Sequence, residues 1–346
     1  MSSGKVHTVT GEIPPEELGI TLTHEHLLFD ASVWVNNPDE ASKMNLLGKP
    51  VSMEILYELH MDPFACADNN KILDIDLAIS ELSHYKRAGG CSFVELTTEG
   101  VGRDSVALRK ISNETGINII SGCGYYIDGS IPPRIRQMDA DEIAQQIASE
   151  INDGVRGTGI RCGVIGEVGT SWPITPLEEK SLRAAARAQH ATGVPINVHC
   201  WPFGKFSHRI LDILQEEGAD FSKVVLSHID ESSVPLDPDY AESLAKRGAY
   251  VEFSAWGSEY HYGSLNVVDP SDNQRVDCMV ELIRRGYAPH LLNSQDICYK
   301  TGIKRFGGYG YDHILTRVVP MLKKRGITQS QIDQMMVANP RRVFAF

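Results

Sequence analysis

Eight short apolar runs rich in β-branched residues recur along the chain, and from about residue 70 onward they alternate with segments of helical periodicity. Few folds accommodate that repetition. The runs are GITLTHEH (19–26), SFVELTTE (92–99), NIISGCGYY (118–126), CGVIGEVG (162–169), PINVHCW (195–201), KVVLSHID (223–230), AYVEFSAW (249–256) and HLLNSQDI (290–297). Segments such as LDIDLAISELSHYKRAGG, DEIAQQIASEINDG, LEEKSLRAAARAQHATG, HRILDILQEEG, DYAESLAKRG and RVDCMVELIRRG lie between them, with apolar residues at i, i+3 and i+4. Each ends in Gly, which takes up the left-handed helix stop without a Cβ penalty. Eight βα units predict an α/β fold, a (β/α)8 TIM barrel; a doubly wound open sheet is the alternative.

The rest of the chain fits around that unit as additions. VHTVTGEI alternates and is followed by PPEELG, so residues 1–18 are expected to form an N-terminal hairpin. Residues 30–70 are an insertion after strand 1, partly helical around SMEILYELH, and residues 328–346 should form a C-terminal helix closing the barrel floor. Such barrels need about 250 residues, and these additions account for the excess in a chain of 346. No linker interrupts the series, so residues 1–346 read as a single domain.

Charge narrows the partners. With 33 Lys and Arg against 45 Asp and Glu the net charge is −12, which disfavours nucleic acid and anionic membrane surfaces. No apolar run approaches the roughly 18 residues that span a bilayer, and the N-terminus lacks a signal-peptide pattern, so a cytoplasmic protein acting on a small molecule is expected. Seven Cys without a C-x-x-C pair read as reduced thiols.

The chemistry is written at the ends of the strands. Strand 1 ends in THEH (His24, His26), strand 4 in GEVG (Glu167), strand 5 in NVHC (His199), strand 6 in LSHID (His228) and strand 8 in SQDI (Asp296). In a barrel the active site is built at that face, so residues spanning 24–296 would converge there. Within H-x-H the strand period of 2 turns both imidazoles to the same side. Four imidazoles and two carboxylates exceed what one tetrahedral zinc with an open position takes, and they suit two divalent ions bridged by a carboxylate and a hydroxide. His7, His60, His84, His190, His208 and His313 fall outside the pattern and are expected at the surface or as caps. His290 opens strand 8 at the opposite end, and His261 lies in the loop after strand 7.

These motifs, in this order and across essentially the whole chain, resemble the phosphotriesterase-like branch of the amidohydrolase superfamily. The resemblance implies a binuclear centre, usually zinc with manganese or cobalt as alternatives. His24, His26 and Asp296 would hold the more buried ion, His199 and His228 the more exposed one, and the strand 4 residue would bridge them. The organophosphate-degrading members carry a carboxylated lysine at the bridge. Here it is Glu167, as in the phosphotriesterase-related proteins and certain lactonases. Strand 7 ends in Ala255 and Trp256, where those enzymes have a proton-relaying His, so potent phosphotriesterase activity is not expected. The family also makes a homodimer plausible.

The expected reaction follows from the ions. Metal coordination lowers the pKa of water toward roughly 7, and the resulting hydroxide attacks a polarised carbonyl. Asp296 is the candidate to carry its proton to the leaving group, while Asp230 either assists or serves as a cap. A lactone or carboxylic ester is the first expectation. An N-acyl amide, a phosphoester and a metal-free binding role on the same barrel are the alternatives. Aromatic residues at the strand ends, including Trp34, Tyr126, Trp172, Trp201, Phe203 and Trp256, predict an apolar pocket wall. Lys205, Lys300, Lys304 and Arg305 on the same face are candidates to pair an acidic group of the substrate, with solvated loop charge as the plainer reading.

Overall fold

A computed structural model describes residues 4–35 and 44–346. The parts of the expected hairpin and insertion at 1–3 and 36–43 lie outside the described residues. Every one of the eight apolar runs contains a strand: β1 Thr21–Glu25, β2 Ser92–Glu95, β3 Asn118–Cys123, β4 Val164–Gly169, β5 Ile196–His199, β6 Val224–Ser227, β7 Tyr250–Phe253 and β8 Leu291–Asn293. They form one parallel sheet in sequential order. The sheet nearly closes into a barrel: at the β8–β1 seam, Asp296 N donates to His24 O at 3.2 Å and His24 N to Ser294 Oγ at 2.9 Å.

Helices α1 Ile75–Arg87, α2 Ser105–Thr115, α3 Ala140–Asn152, α4 Pro176–Thr192, α5 Ser207–Glu216, α6 Pro238–Ala245 and α7 Asp272–Arg284 connect successive strands. Thr175 and Glu178 form a reciprocal capping box at the start of α4, and Gly193 ends it at φ 75°. Period-2 alternation sorts the strand side chains. Phe93, Ile119, Val224 and Leu226 face the helices, while Val94, Ile120 and Val225 face inward, where they join Val164, Tyr250 and Leu292.

That inner cluster is sealed at the N-terminal end by Val6, Leu18, Val343 and Phe344. The hairpin Val6–Thr8/Gly11–Ile13 supplies one side of this floor, and the chain's last residues supply the other, with Lys5 and Phe346 exchanging backbone hydrogen bonds at 2.9 and 3.0 Å. His7, expected at the surface, is buried here, its ring edge-on to Phe346. The closing helix is present in pieces, Gln329–Asp333 and Asn339–Phe344, joined by a π-helical turn at Gln334–Ala338. Another π-turn, Ile314–Val318, leads into α8 Val319–Lys324. Each turn immediately precedes a helix whose second residue is proline, Pro320 or Pro340. The missing N–H and the clash with the carbonyl four residues back explain the widening.

The insertion is stitched at its base by an antiparallel pair, Phe29–Asp30 with Lys71–Ile72, and carries the expected short helix at Leu56–Met61. All seven cysteines are free thiols, and no helix among the described residues is long and apolar enough to cross a membrane. Phe344 is fully buried in the floor cluster. Phe344→Ala is expected to cost about 3–5 kcal/mol, read as a lower urea midpoint with an unchanged slope; a shift under about 1 kcal/mol would remove it from the core.

Candidate metal centre

All strands but β4 end one to four residues earlier than the apolar runs suggest, and that brings backbone geometry into the site. His24 lies within β1, Glu167 within β4, and His199 is the last residue of β5. His26, His228 and Asp296 stand just beyond their strands. His228 (φ 63°) and Asp296 (φ 45°) adopt the left-handed region, which costs a non-glycine residue of order 1–3 kcal/mol and collects at functional sites. Gly166 permits the close approach at Glu167: at φ 154°, a Cβ there would sit 2.6 Å from Asn197 O.

The other five side chains gather around Glu167. Its Oε1 lies 2.9 Å from His199 Nδ1, 3.2 Å from His24 Nε2 and 3.3 Å from His228 Nε2. Its Oε2 is 3.8 Å from His26 Nε2, which in turn is 3.1 Å from Asp296 Oδ1. His199 Nδ1 and His228 Nε2 face each other at 2.9 Å. Donor atoms of His24, His26 and Asp296 lie within 4.8 Å of one another, as do those of His24, Glu167 and His228.

Polar partners behind the imidazoles fix which nitrogen looks inward. His24 Nδ1 meets Ser227 Oγ at 2.9 Å and Glu252 Oε2 at 3.2 Å. His26 Nδ1 meets Thr97 Oγ1 at 2.9 Å, whose hydroxyl donates to Glu95. His228 Nδ1 meets Ser254 Oγ at 2.9 Å and Glu231 Oε2 at 3.1 Å. With acceptors behind, these three rings direct an Nδ1 proton backwards and turn Nε2 to the centre, the orientation of metal-ligating histidines, for which the Nε2 proton must be given up. His199 is reversed, with Nδ1 inward.

The residues fit divalent ions. His24 Nε2 and Asp296 Oδ1 are buried and make no aligned hydrogen bond, although Glu167 Oε1 lies 3.2 Å from the first and His26 Nε2 3.1 Å from the second, an arrangement that costs about 1–3 kcal/mol per group unless a ligand satisfies it. Burial alone would raise the Glu167 carboxyl, yet the imidazoles of His24 and His199 outweigh it and hold the group well below the usual range. Conversely, burial disfavours a charged His24, and Glu167 overrides it, pushing the imidazole up to about 10. The cluster demands cationic charge, which protons supply where metal does not. A contrasting buried group, Cys123, Glu150 and Cys162, has that demand met: Arg103 grips Glu150 with two hydrogen bonds of 2.7 and 2.9 Å.

Two buried carboxylates hold the loops that carry the left-handed residues or adjoin them. Glu25, between the two histidines of strand β1, points the other way and accepts Ser294 Oγ (2.8 Å), Gln295 N (2.7 Å) and Ile297 N (3.1 Å), clasping both sides of Asp296. Burial raises it to about 8 despite those donors. Asp230 accepts Ser254 N and Ala255 N, both at 3.0 Å, and pairs with Arg275 at 2.9 Å; of the two roles expected for it, the structure shows the cap. Sequence reasoning missed Glu25, Glu252 and Glu95, although a lone carboxylate inside an apolar strand was the available signal.

A cavity opens above the centre, bordered by His26, Glu167, His199, His228 and Asp296 and by rings from the surrounding loops. Of the residues expected to contact substrate, Tyr126 borders it, as do Trp34 and Phe203. The others do not. Trp172 is 46% exposed and stacks on Phe206 at 3.7 Å. Trp201 packs behind Trp34 at 6.1 Å, and Trp256 is wholly buried with its Nε1 donating to Asn293 Oδ1 at 3.0 Å. Lys205 pairs with Asp237, Lys300 with Asp68 and Lys304 with Asp312, each at 2.6 Å, and Arg305 is exposed outside the lining. Nearby carboxylates draw the lysines away from the mouth. His261 is exposed on the strand pair His261–Tyr262/Val267–Val268, also outside the cavity.

Comparison with known proteins gives the same picture from another side. Residues 4–344 match the model of the phosphotriesterase family. An N-acetyltaurine hydrolase of Tetraodon nigroviridis is 41% identical, covering 99% of both chains. The crystal structure of a resiniferatoxin-binding protein from Rhodobacter sphaeroides superposes with a TM-score of 0.97 at 42% identity, covering 99% of this chain and 95% of that one. A lactonase from Listeria monocytogenes gives a TM-score of 0.80 at 26% identity, covering 99% of each.

Because Glu25 sets the Asp296 loop without facing the centre, Glu25→Gln should keep the fold but weaken zinc retention about 10-fold or more. Competition with a chromophoric chelator measures this, with far-UV circular dichroism as control; unchanged affinity would leave Glu25 without a positioning role.

Proposed function

The chain belongs to the phosphotriesterase family, and on that premise we propose that it is a metal-dependent hydrolase cleaving the carbonyl–nitrogen or carbonyl–oxygen bond of a small amide or ester. The observation that carries this reading is the convergence of four imidazoles and two carboxylates around buried atoms, His24 Nε2 and Asp296 Oδ1, that make no aligned hydrogen bond within the protein. Two ions held there would activate water and polarise the carbonyl of the substrate. His24, His26 and Asp296 would hold one, His199 and His228 the other, and Glu167 would reach both.

The remaining tasks fall to the chain's own side chains. Asp296 has a side chain one-fifth exposed toward the cavity, so it can take a proton from the attacking water and return it to the departing nitrogen or oxygen. The Tyr126 hydroxyl accepts the indole N–H of Trp34 at 3.1 Å and lies 3.5 Å from the His199 ring nitrogens, so its own proton is shared between that ring and a substrate in the cavity. Burial raises its phenol well above the ordinary value, so it remains protonated. Phe29, Trp34 and Phe64 wall off bulk water. The order of substrates changes from the expectation drawn from sequence. The relative at 41% identity is named for amide cleavage and the lactonase stands at 26%, which puts the amide first and the ester or lactone second.

Chelation should abolish hydrolysis, and added zinc or manganese should restore it. Glu167→Ala should lose both most of the bound metal and at least about 100-fold in kcat while remaining folded. Metal analysis alongside kinetics checks this; a fully active Glu167→Ala enzyme would overturn the reading.

A further inference from the structure

The outer half of the cavity has a chemistry of its own, and what it says about substrate rests on the hydrolase reading above. Rings from five loops line it: Trp34 and Phe64 after β1, Tyr126 after β3, Phe203 after β5, Tyr262 after β7 and Tyr299 after β8. Phe64 sits at the middle. It stacks on Trp34 at 5.6 Å with the planes 16° apart, and meets Tyr262 at 5.4 Å and Tyr299 edge-on at 5.9 Å. Phe203 reaches Tyr262 at 5.0 Å, and the hydrogen bond from Trp34 to Tyr126 pins the indole. Rings locked against one another present a preformed aromatic wall.

Away from the centre, three polar side chains bordering this space are engaged within the protein, and the rest are neutral tyrosine hydroxyls and the Cys298 thiol. Gln295 donates to Gly310 O at 2.7 Å and accepts from Ile314 N, Ser258 donates to Asp269 at 2.6 Å, and Glu231 is the partner of His228. Among the described residues that border the cavity there is no Lys or Arg, and the three lysines near the mouth are paired with Asp237, Asp68 and Asp312. A sulfonate or carboxylate seated between the rings would therefore meet their negative faces and the Glu231 carboxylate instead of a cation, an unfavourable burial of unpaired charge.

We infer that the substrate group occupying the outer cavity is uncharged and apolar, of a kind that packs against aromatic rings. The substrate class is an amide or ester bearing an aryl or arylalkyl group, and the anionic N-acyl aminosulfonate for which the relatives are named is the poorer ligand. A matched pair tests this directly, because N-acetyl-2-phenylethylamine and N-acetyltaurine share the same amide and ethylene spacer and differ only in phenyl against sulfonate.

With the zinc-loaded enzyme, kcat/KM for the phenylethyl amide should exceed that for N-acetyltaurine at least 10-fold. Phe64→Ala should raise the KM for the phenylethyl amide about 10-fold with kcat largely kept, and Phe64→Tyr should restore it. A readout independent of turnover is quenching of tryptophan fluorescence by N-acetyl-2-phenylethylamine on the metal-depleted protein, expected to weaken about 10-fold in Phe64→Ala. Preference for N-acetyltaurine would overturn the inference and leave the hydrolase reading standing. Hydrolysis of neither amide, nor of 2-phenylethyl acetate, by protein that retains its metal would overturn both.

Discussion

A carboxylate buried among four imidazoles is the constraint on which the rest of this molecule depends. Glu167 Oε1 has three ring nitrogens within 3.3 Å, and two of those nitrogens face each other at 2.9 Å. Lone pairs crowded this way in a dry space repel unless cations sit between them. The protein nevertheless invests further in the arrangement. Two ligand-type residues occupy left-handed backbone, and Ser, Thr and Glu side chains behind the rings hold three Nε2 atoms inward. A fold that merely needed stability would fill the same volume with aliphatic side chains.

The barrel makes that arrangement possible by separating its two ends. At the floor, Val6, Leu18, Val343 and Phe344 plug the strands with apolar volume, and the chain's two ends lock together there. At the opposite rim, buried carboxylates replace sheet hydrogen bonding as the organiser. Glu25 gathers the amides on either side of Asp296, and Asp230 gathers those at the end of β7 while neutralised by Arg275. The rim is therefore irregular backbone, rigidly satisfied, on a regular base.

Strand and ligand positions were legible in the amino-acid sequence because both follow from local period. H-x-H turns two rings to one side whatever surrounds it, and a histidine ending an apolar run has few places to go in a closed parallel sheet. Residues beyond the strands obeyed no such rule. Lys205, Lys300 and Lys304 were expected at the mouth, but their direction depends on Asp237, Asp68 and Asp312, carboxylates from other parts of the fold. Trp256 followed a strand and still entered the core, because Asn293 on the neighbouring strand offered its N–H an acceptor. Glu25 escaped notice for a related reason, since its role appears only when β8 is placed beside β1. The aromatic wall was half legible: Trp34, Tyr126 and Phe203 were marked by position, whereas Phe64 and Tyr299 come from loops whose path no periodicity describes.

On the proposed reading, Glu167 would bridge two cations. Anomalous diffraction from crystals of the zinc-loaded protein, collected above and below the zinc edge, measures it most directly. Two peaks are predicted, one beside His24, His26 and Asp296, the other beside His199 and His228, with a Glu167 oxygen on each. A single peak, or two peaks with Glu167 turned away from either, would contradict it.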